Sequence, residues 1–440
     1  MTSAVARPVG RAESGVDVSI RVPGSKSVSC RALVLAALAR GTSELGGLLR
    51  GEDTDALAAA IASLGVPVRL GEDETVMEGG GPLSGGGQTV HVGHGGAPAR
   101  FLLALASAAE GDTTIDGSSR LRERPMGDMS SLLAALGIDV DPLGDAEHLP
   151  LRVRGGHWKQ RVLEVGETAS SQFLSALMLV APSMPDGLEL RLRAAPTSAP
   201  YLALTIAELR RWGVEVQTGY GDGYAARITV PHTPLQAQRR AIPPDASSAL
   251  FWGVAATILP GSCVRLPGVS LDDGQPDAAA FSVLEEMGLQ VSPQAGGVTL
   301  AGPQAVRSVG RIDCDRMPDA APALAVACLF ADAPTQLTGL STLRHKESDR
   351  VATVAGELSR AGGDVAAVED DLIVRPGILP DTPVTLETWD DHRIAMAGAV
   401  LGLRRGGVSI SDPDCVAKSY PDFWRDLLAF APEPPTGDTA

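Results

Sequence analysis

Apolar residues in this chain recur in two kinds of helical stretch that alternate along its length. One kind is rich in Ala and Leu and opens on small or polar residues: Ser25–Arg40, Gly95–Ala109, Ala169–Ala181, Asp245–Leu259, Met317–Ala331 and Asp390–Leu403. Their starts lie 70, 74, 76, 72 and 73 residues apart. The other kind is amphipathic and ends in Gly-x-x-Val, with its glycine at Gly65, Gly137, Gly213, Gly288 and Gly362, spaced by 72, 76, 75 and 74. A glycine just past the last apolar position predicts a left-handed residue that stops the helix, and the alternating Val and Ile after it predict strand. Between the helices lie short β-branched stretches, Thr89–Val92, Leu151–Val153, Ile228–Val230 and Val298–Leu300. Each unit therefore holds two helices and about four strands, and six such units fill the chain. The sixth amphipathic copy, Tyr420–Ala429, runs out near the end, and the tail Pro432–Ala440 is expected to fray.

Composition narrows this pattern to a globular protein of more than one domain. At 440 residues the chain exceeds what one hydrophobic core spans, and 44% apolar with 20% charged residues is neither disordered nor membrane-spanning. The longest apolar runs, Ala32–Ala39 and Phe173–Pro182, are too short to cross a bilayer, and Met1–Gly15 lacks the apolar core of a signal peptide. Five scattered cysteines without a C-x-x-C pair suit a reducing cytoplasm and argue against structural zinc. A basic stretch running into Pro243-Pro244, halfway through the repeats, is the candidate crossing between domains.

Charge then separates the ligand classes. A net charge of −16 disfavours nucleic acid, so an anionic small substrate must meet a local basic cluster. Only four lysines (Lys26, Lys159, Lys346, Lys418) stand against 33 arginines, which marks positions where a compact point charge or a titratable amine is needed. Several Ala-rich helices are preceded by residues that let backbone approach an anion at the helix N-terminus. Pro23-Gly24-Ser25-Lys26-Ser27 lacks the first glycine of a P-loop and a Gly-Lys pair. His91 and His94 lack a third ligand nearby, and Arg393 beside Asp390-Asp391-His392 already supplies a cation, so no metal site is expected.

The segment Pro23–Arg31 instead resembles the opening signature of the enolpyruvyl transferases, in the branch that acts on shikimate 3-phosphate. Further segments match that family in order: Gly93–Phe101 (GHGGAPARF), Arg122-Glu123-Arg124-Pro125, Ser170-Ser171-Gln172-Phe173, Ser198-Ala199-Pro200-Tyr201, Asp245–Ala249, Pro318–Ala321, Lys346–Arg350, Asp391-His392-Arg393 and Ala417–Asp422. Three of the four lysines fall inside these segments; Lys159 reads as a surface residue.

The resemblance implies a two-domain inside-out α/β barrel, an α+β arrangement with three repeats per domain, one domain 23–242 and the other 1–22 with 243–440. It implies transfer of the enolpyruvyl group of phosphoenolpyruvate to the 5-hydroxyl of shikimate 3-phosphate by addition and elimination, without cofactor or metal, in a cytoplasmic monomer with no nucleic-acid or membrane partner. Shikimate 3-phosphate would bind first, mainly to the 23–242 domain, and closure would complete the phosphoenolpyruvate site. Lys26, Asp319 and Glu347 are the implied proton-transfer groups, with Asp319 near the hydroxyl and Glu347 near the methylene. Lys26, Ser27, Arg31, Ser170, Ser171, Gln172, Ser198, Tyr201, Asp319, Thr342 and Lys346 are the implied contacts to shikimate 3-phosphate. Lys26, Gly96, Arg124, Gln172, Arg350, Arg393 and Lys418 are those to phosphoenolpyruvate, and to the inhibitor glyphosate in its place. Asp245 and Asp391 are expected to aid closure.

Departures from the family pattern bear on affinity. His94-Gly95-Gly96-Ala97-Pro98 stands where Asn-Ala-Gly-Thr is usual, and Cys30 and Thr342 replace common asparagines. Pro98 either shifts the following helix start, lowering glyphosate sensitivity, or is tolerated in the first helical turn. The rivals are a UDP-N-acetylglucosamine enolpyruvyl transferase, which has Lys-Asn where this chain has Lys26-Ser27, and a non-catalytic repeat scaffold. RNA 3′-phosphate cyclase, a related fold, is disfavoured by the charge.

Overall fold

A computed structural model describes residues 5–168, 170–221 and 223–433. The predicted start of one helix at Ala169 and the tail beyond Glu433 lie outside the described residues. Six Ala-rich core helices form at the repeat positions: α1 (Lys26–Leu38), α2 (Gly96–Ser107), α3 (Ser171–Val180), α4 (Ala246–Ile258), α5 (Ala321–Cys328) and α6 (His392–Arg405). They are largely apolar and buried on nearly every face; in α1 all residues from Val28 to Ala37 are buried, and in α6 all but Arg404. The five glycines that close the amphipathic helices all take positive φ, from 83° at Gly137 to 112° at Gly288, the conformation in which Gly carries no Cβ penalty.

The chain divides into two compact units, Gly24–Pro243 and Met1–Pro23 with Pro244–Ala440. In each unit three core helices pack on one another, α1 to α3 in the first and α4 to α6 in the second. Small sheets surround them, and strands such as Leu151–Gly155 alternate buried and exposed residues as a one-sided sheet requires. Helices at the centre with sheets outside is the inside-out barrel.

Among the described residues five sheets have four strands and one has three. The four-stranded sheets repeat one plan, a parallel pair followed by two antiparallel pairings, as in Thr89–His91, Gly111–Asp116, Leu151–Gly155 and Asp139–Pro142. The period alone does not reveal how each unit closes. In the first unit Arg239–Ala241, from its last repeat, pairs in parallel with Gly41–Gly46 of its first. In the second, the N-terminal strand Asp17–Ser19 pairs with Cys263–Pro267, and Arg7–Pro8 pairs with Val408–Ile410. The three-stranded sheet joins Arg7–Pro8, Val408–Ile410 and Val384–Leu386 of the sixth repeat.

Sheets meet helix ends through glycines. A methyl on Gly79, Gly155 or Gly302 would lie 2.0, 2.1 or 2.2 Å from a carbonyl oxygen at the end of a core helix (Ala36, Ala109 and Ala256). Strand backbone thus closes over the last turn of the helix. All five cysteines are free, and burial pushes the Cys30 and Cys328 thiols up to about 12, which leaves them inert. Among the described residues no helix is long and apolar enough to cross a membrane.

Candidate active site

Each unit carries a cluster of charged side chains at the N-termini of its core helices, where unpaired backbone N–H groups and the helix dipole favour anions. In the Gly24–Pro243 unit the cluster is a chain of neighbours. Lys26, the first residue of α1, places Nζ 3.3 Å from Oδ2 of Asp53, which is 3% exposed. The other Asp53 oxygen is buried without a partner and would lie 3.0 Å from a methyl on Gly95, the cap of α2. Next along, a methyl on Gly96 would meet Arg124 Nη1 at 2.4 Å and Cζ at 2.5 Å, so the guanidinium lies against the helix start. Arg124 is 5% exposed, and its Nε and Nη1 are buried with no hydrogen-bond partner. A buried cation with orphaned donors on a helix N-terminus is a place for an anion.

The chain continues through Arg100, whose Nη1 donates to Oε1 of Gln172 at 2.6 Å and whose guanidinium lies 4.7 Å from the Phe173 ring centroid. Ser170 caps α3, its Oγ accepting from the Gln172 N–H, and Ser171 is buried in the first turn. Ser198 sits in left-handed conformation (φ 53°) directly before Ala199–Arg211. Arg31 faces inward. It donates to Thr205 Oγ1 (2.9 Å), to the Ser27 carbonyl (2.8 Å) and to the Tyr201 carbonyl (3.2 Å), which ties α1 to Ala199–Arg211 and leaves two of its five N–H donors. Pro98 falls inside the first turn of α2, where no helical bond needs its N–H, and Ala99 donates normally to Gly95. The helix start is regular, which favours toleration of this proline.

The second unit's cluster is built around two carboxylates. Asp319, on the turn Pro318–Ala320 that leads into α5, accepts from Arg350 Nη1 (2.9 Å) on Oδ1 and from Arg393 Nη2 (3.0 Å) on Oδ2. Lys346 Nζ stands 3.4 Å from Oδ1. Burial pushes the Asp319 carboxyl up, but Arg393, Lys346 and Arg350 together outweigh it and hold it well below the usual carboxylate range. Asp391, fully buried, accepts from Arg350 Nε (2.8 Å) and Nη2 (3.1 Å), from Ser348 Oγ (3.0 Å) and from the Arg393 N–H (3.0 Å). Glu347 joins the two ends: Oε2 accepts from Arg350 Nη2 at 2.8 Å, and Oε1 is 3.5 Å from Lys418 Nζ.

Arg350 is thus the hub, 1% exposed, with bonds to three acids that a single ammonium could not match in geometry. Two consecutive left-handed residues, Trp389 (φ 56°) and Asp390 (φ 54°), deliver Asp391 and Arg393 to the start of α6. Such conformations cost on the order of 1–2 kcal/mol each in non-glycine residues and cluster at functional sites.

Asp319, Lys346, Glu347, Arg350, Arg393 and Lys418 meet in this unit, and Lys26, Gly96, Arg124 and Gln172 line up in the other. Thr342 is on the turn Ser341–His345 ahead of Lys346, outside the network described above. Asp245 and Asp391, expected to aid closure, cap α4 and α6. Sequence reasoning missed Asp53, Arg100 and Ser348. Arg100 was visible one turn after Gly96; Asp53 reads in sequence as an ordinary first-turn acid of Glu52–Ser63. Among the described residues no three His, Cys, Asp or Glu side chains group as metal ligands.

The family model of EPSP synthase (3-phosphoshikimate 1-carboxyvinyltransferase) matches residues 11–427. A 3-phosphoshikimate 1-carboxyvinyltransferase of Shewanella halifaxensis is 34% identical over 94% of this chain and 97% of its own length. Another, from Syntrophobacter fumaroxidans, is 36% identical over 93% and 96%. Among solved structures, an EPSP synthase from Acinetobacter baumannii superposes with a TM-score of 0.79 at 27% identity, covering 97% of this chain and 98% of that one. The enolpyruvyl transferase NikO from Streptomyces tendae, 16% identical with a TM-score of 0.75 over 97% and 98%, shares the fold.

Proposed function

We propose, from the premise that this chain belongs to the EPSP synthase family and moves the enolpyruvyl group of phosphoenolpyruvate onto shikimate 3-phosphate, a division of labour among its residues. Shikimate 3-phosphate is held mainly by the Gly24–Pro243 unit. Ser170, Ser171, Ser198, Tyr201 and Ser27 supply hydroxyls, the two remaining Arg31 donors and Lys26 supply positive charge, and Lys346 with Thr342 comes from the second unit. The anionic groups of phosphoenolpyruvate fall to Lys26, Arg124, Gln172, Arg350, Arg393 and Lys418, with Gly96 leaving room for Arg124. The enzyme acts as a cytoplasmic monomer; its five free thiols suit a reducing compartment, and every residue given a role is on this one chain.

In the addition step the 5-hydroxyl oxygen attacks C2 of phosphoenolpyruvate, its proton passes to a base, and C3 takes up a proton to become a methyl group. Elimination removes a proton from C3 and breaks the C2–O bond to phosphate, leaving the enolpyruvyl ether. Asp319 is the base for the hydroxyl, Glu347 serves C3, and Lys26 is the third proton carrier. While three cations hold Asp319, it is a weak base. The two substrates bring carboxylates and phosphates that compete for Arg393 and Lys346 respectively, so their arrival raises the basicity of Asp319 at the step that uses it.

The observation that carries this reading is the junction at Asp319, one part-buried carboxylate with Lys346, Arg350 and Arg393 on its two oxygens. A phosphate-release assay tests it. Release is expected only with both substrates present, and unchanged when a chelator is added. Turnover abolished by the chelator, or supported by UDP-N-acetylglucosamine in place of shikimate 3-phosphate, would sink the assignment.

Gly96 gives a second test. A methyl there meets the Arg124 guanidinium, so Gly96→Ala is expected to raise the KM for phosphoenolpyruvate and to weaken glyphosate by about tenfold or more, roughly 1.4 kcal/mol. Glyphosate should suffer more than the substrate. Inhibition measured in competition with phosphoenolpyruvate decides, and an unchanged inhibition constant would remove glyphosate from this position.

A further inference from the structure

A fourth acid stands behind the second unit's cluster. Asp277 is on the turn Pro276–Ala279, 1% exposed, packed against α4, the helix Ala280–Glu286 and the turn that carries Asp319. The Ser247 hydroxyl, in the first turn of α4, contacts its Oδ2, while its Oδ1 is buried with no hydrogen-bond partner. The charged or titratable groups facing it are Asp245 at the cap of α4, Asp319, Arg393 in the first turn of α6 and the Cys314 thiol. Glu285 and Glu286 of the following helix are exposed to solvent.

Burial, and after it the charge of Asp319, push the Asp277 carboxyl up to about 6 against the opposing pull of Arg393 and Ser247. An ionised carboxylate here would bury a full charge beside another acid with one oxygen unsatisfied. Protonated, the same contact becomes a carboxyl O–H donated to Ser247 Oγ, and the orphaned atom is a neutral carbonyl oxygen, cheaper to bury. The balance of charge agrees. Lys346, Arg350, Arg393 and Lys418 provide four positive charges against three on Asp319, Glu347 and Asp391. A charged Asp277 cancels the surplus that an anionic ligand needs.

We propose that Asp277 is a positioning residue that holds a proton while phosphoenolpyruvate is bound, so that Arg393 is shared by Asp319 and the ligand and is not drawn to a second buried carboxylate. This rests on placing the ligand's anionic groups at Arg393. A proton held more tightly in the complex than in the free enzyme makes affinity fall as pH rises. The fall begins near the free group's midpoint, about 6, and ends at the higher midpoint of the complex.

The test is the KM for phosphoenolpyruvate across about pH 5.5 to 8.5 in wild type, Asp277→Asn and Ser247→Ala, each with its kcat. The substrate's own phosphate titrates alike in all three. Asp277→Asn, a permanent mimic of the neutral carboxyl, is expected to match wild type at the acid end and to bind about tenfold more tightly near pH 8 for each unit between the two midpoints. Its kcat should change less than about threefold, a split that a merely structural defect would not produce. Ser247→Ala removes a hydroxyl that favours the charged form, so the wild-type transition should move to higher pH, and this variant carries the test if the asparagine fails to fold. Parallel KM profiles in wild type and Asp277→Asn, or an unmoved transition in Ser247→Ala, would overturn the proposal. Arg393→Gln separates the two ideas: an unchanged KM there sinks the site assignment itself, whereas a raised KM alongside parallel Asp277→Asn profiles sinks only the role of Asp277.

Discussion

Replacing Asp319 by asparagine is expected to lower turnover by about a hundredfold or more while shikimate 3-phosphate still binds within about tenfold of normal, the signature of a lost general base. The amide keeps the shape of the carboxyl and one acceptor oxygen, so Arg350 or Arg393 retains a partner on the turn. What it cannot do is take the proton from the attacking hydroxyl. The loss should therefore fall on the chemical step, and single-turnover measurements with pre-bound substrates should show it undiminished at saturation. If titration instead shows binding lost and turnover per bound complex intact, Asp319 is a ligand contact only. Lys26→Arg applies the same logic in the other unit. A planar fork does not reproduce the point charge that stands 3.3 Å from Asp53, and unchanged kinetics would take Lys26 out of the chemistry.

Arg350→Met is expected to be the most damaging change to stability, a loss of about 3–5 kcal/mol in the unfolding of its unit. The reason is what remains. Asp391 is fully buried, and with Arg350 gone its acceptors are left with Ser348 and the Arg393 N–H, while Glu347 loses the arginine that holds it near Asp319. Breaking a buried network from one side strands the opposite charge, which costs more than the network gained by forming. Arg350→Lys should recover only part of the loss, since one ammonium cannot address three acids on different elements. Denaturant melts read in the unit's own transition give the value, because a chain of two units need not unfold in one step. A loss below about 1 kcal/mol would mean that solvent reaches this network far more than its 1% exposure implies.

The helix-and-strand repeat was legible because each copy carries the same physical punctuation. Gly65, Gly137, Gly213, Gly288 and Gly362 all stop a helix in a conformation that only glycine adopts without cost, and that requirement writes itself into the chain at a fixed period. The basic residues were legible for a related reason, since Lys26 and Arg393 stand in the first turns of core helices. Charge partners were not. Asp53 and Asp277 meet Lys26 and Arg393 only through folding, and in sequence each is an acid at the start of a short helical stretch, a common place for a cap. Arg350 was legible as a cation but not as a hub, because its three acids lie 3 to 41 residues away. Strand order escaped as well, since nothing in Asp17–Ser19 names a partner far along the chain.

That partner has a consequence for how the protein is made. Asp17–Ser19 leaves the ribosome before any of the Gly24–Pro243 unit, yet the strand it joins begins at Cys263, and the one that receives Arg7–Pro8 begins at Val408. At about 5–20 residues per second, the first pairing waits roughly 12 to 50 seconds and the second longer. The Gly24–Pro243 unit has all its own strands in hand before then and can fold while the leading segment hangs unpaired. The segment ahead of Gly24 is thus made before the unit that follows it and finds its place after it. A polypeptide cut short just before Cys263 and released from the ribosome should hold one protease-resistant unit and a leading segment still open to cleavage.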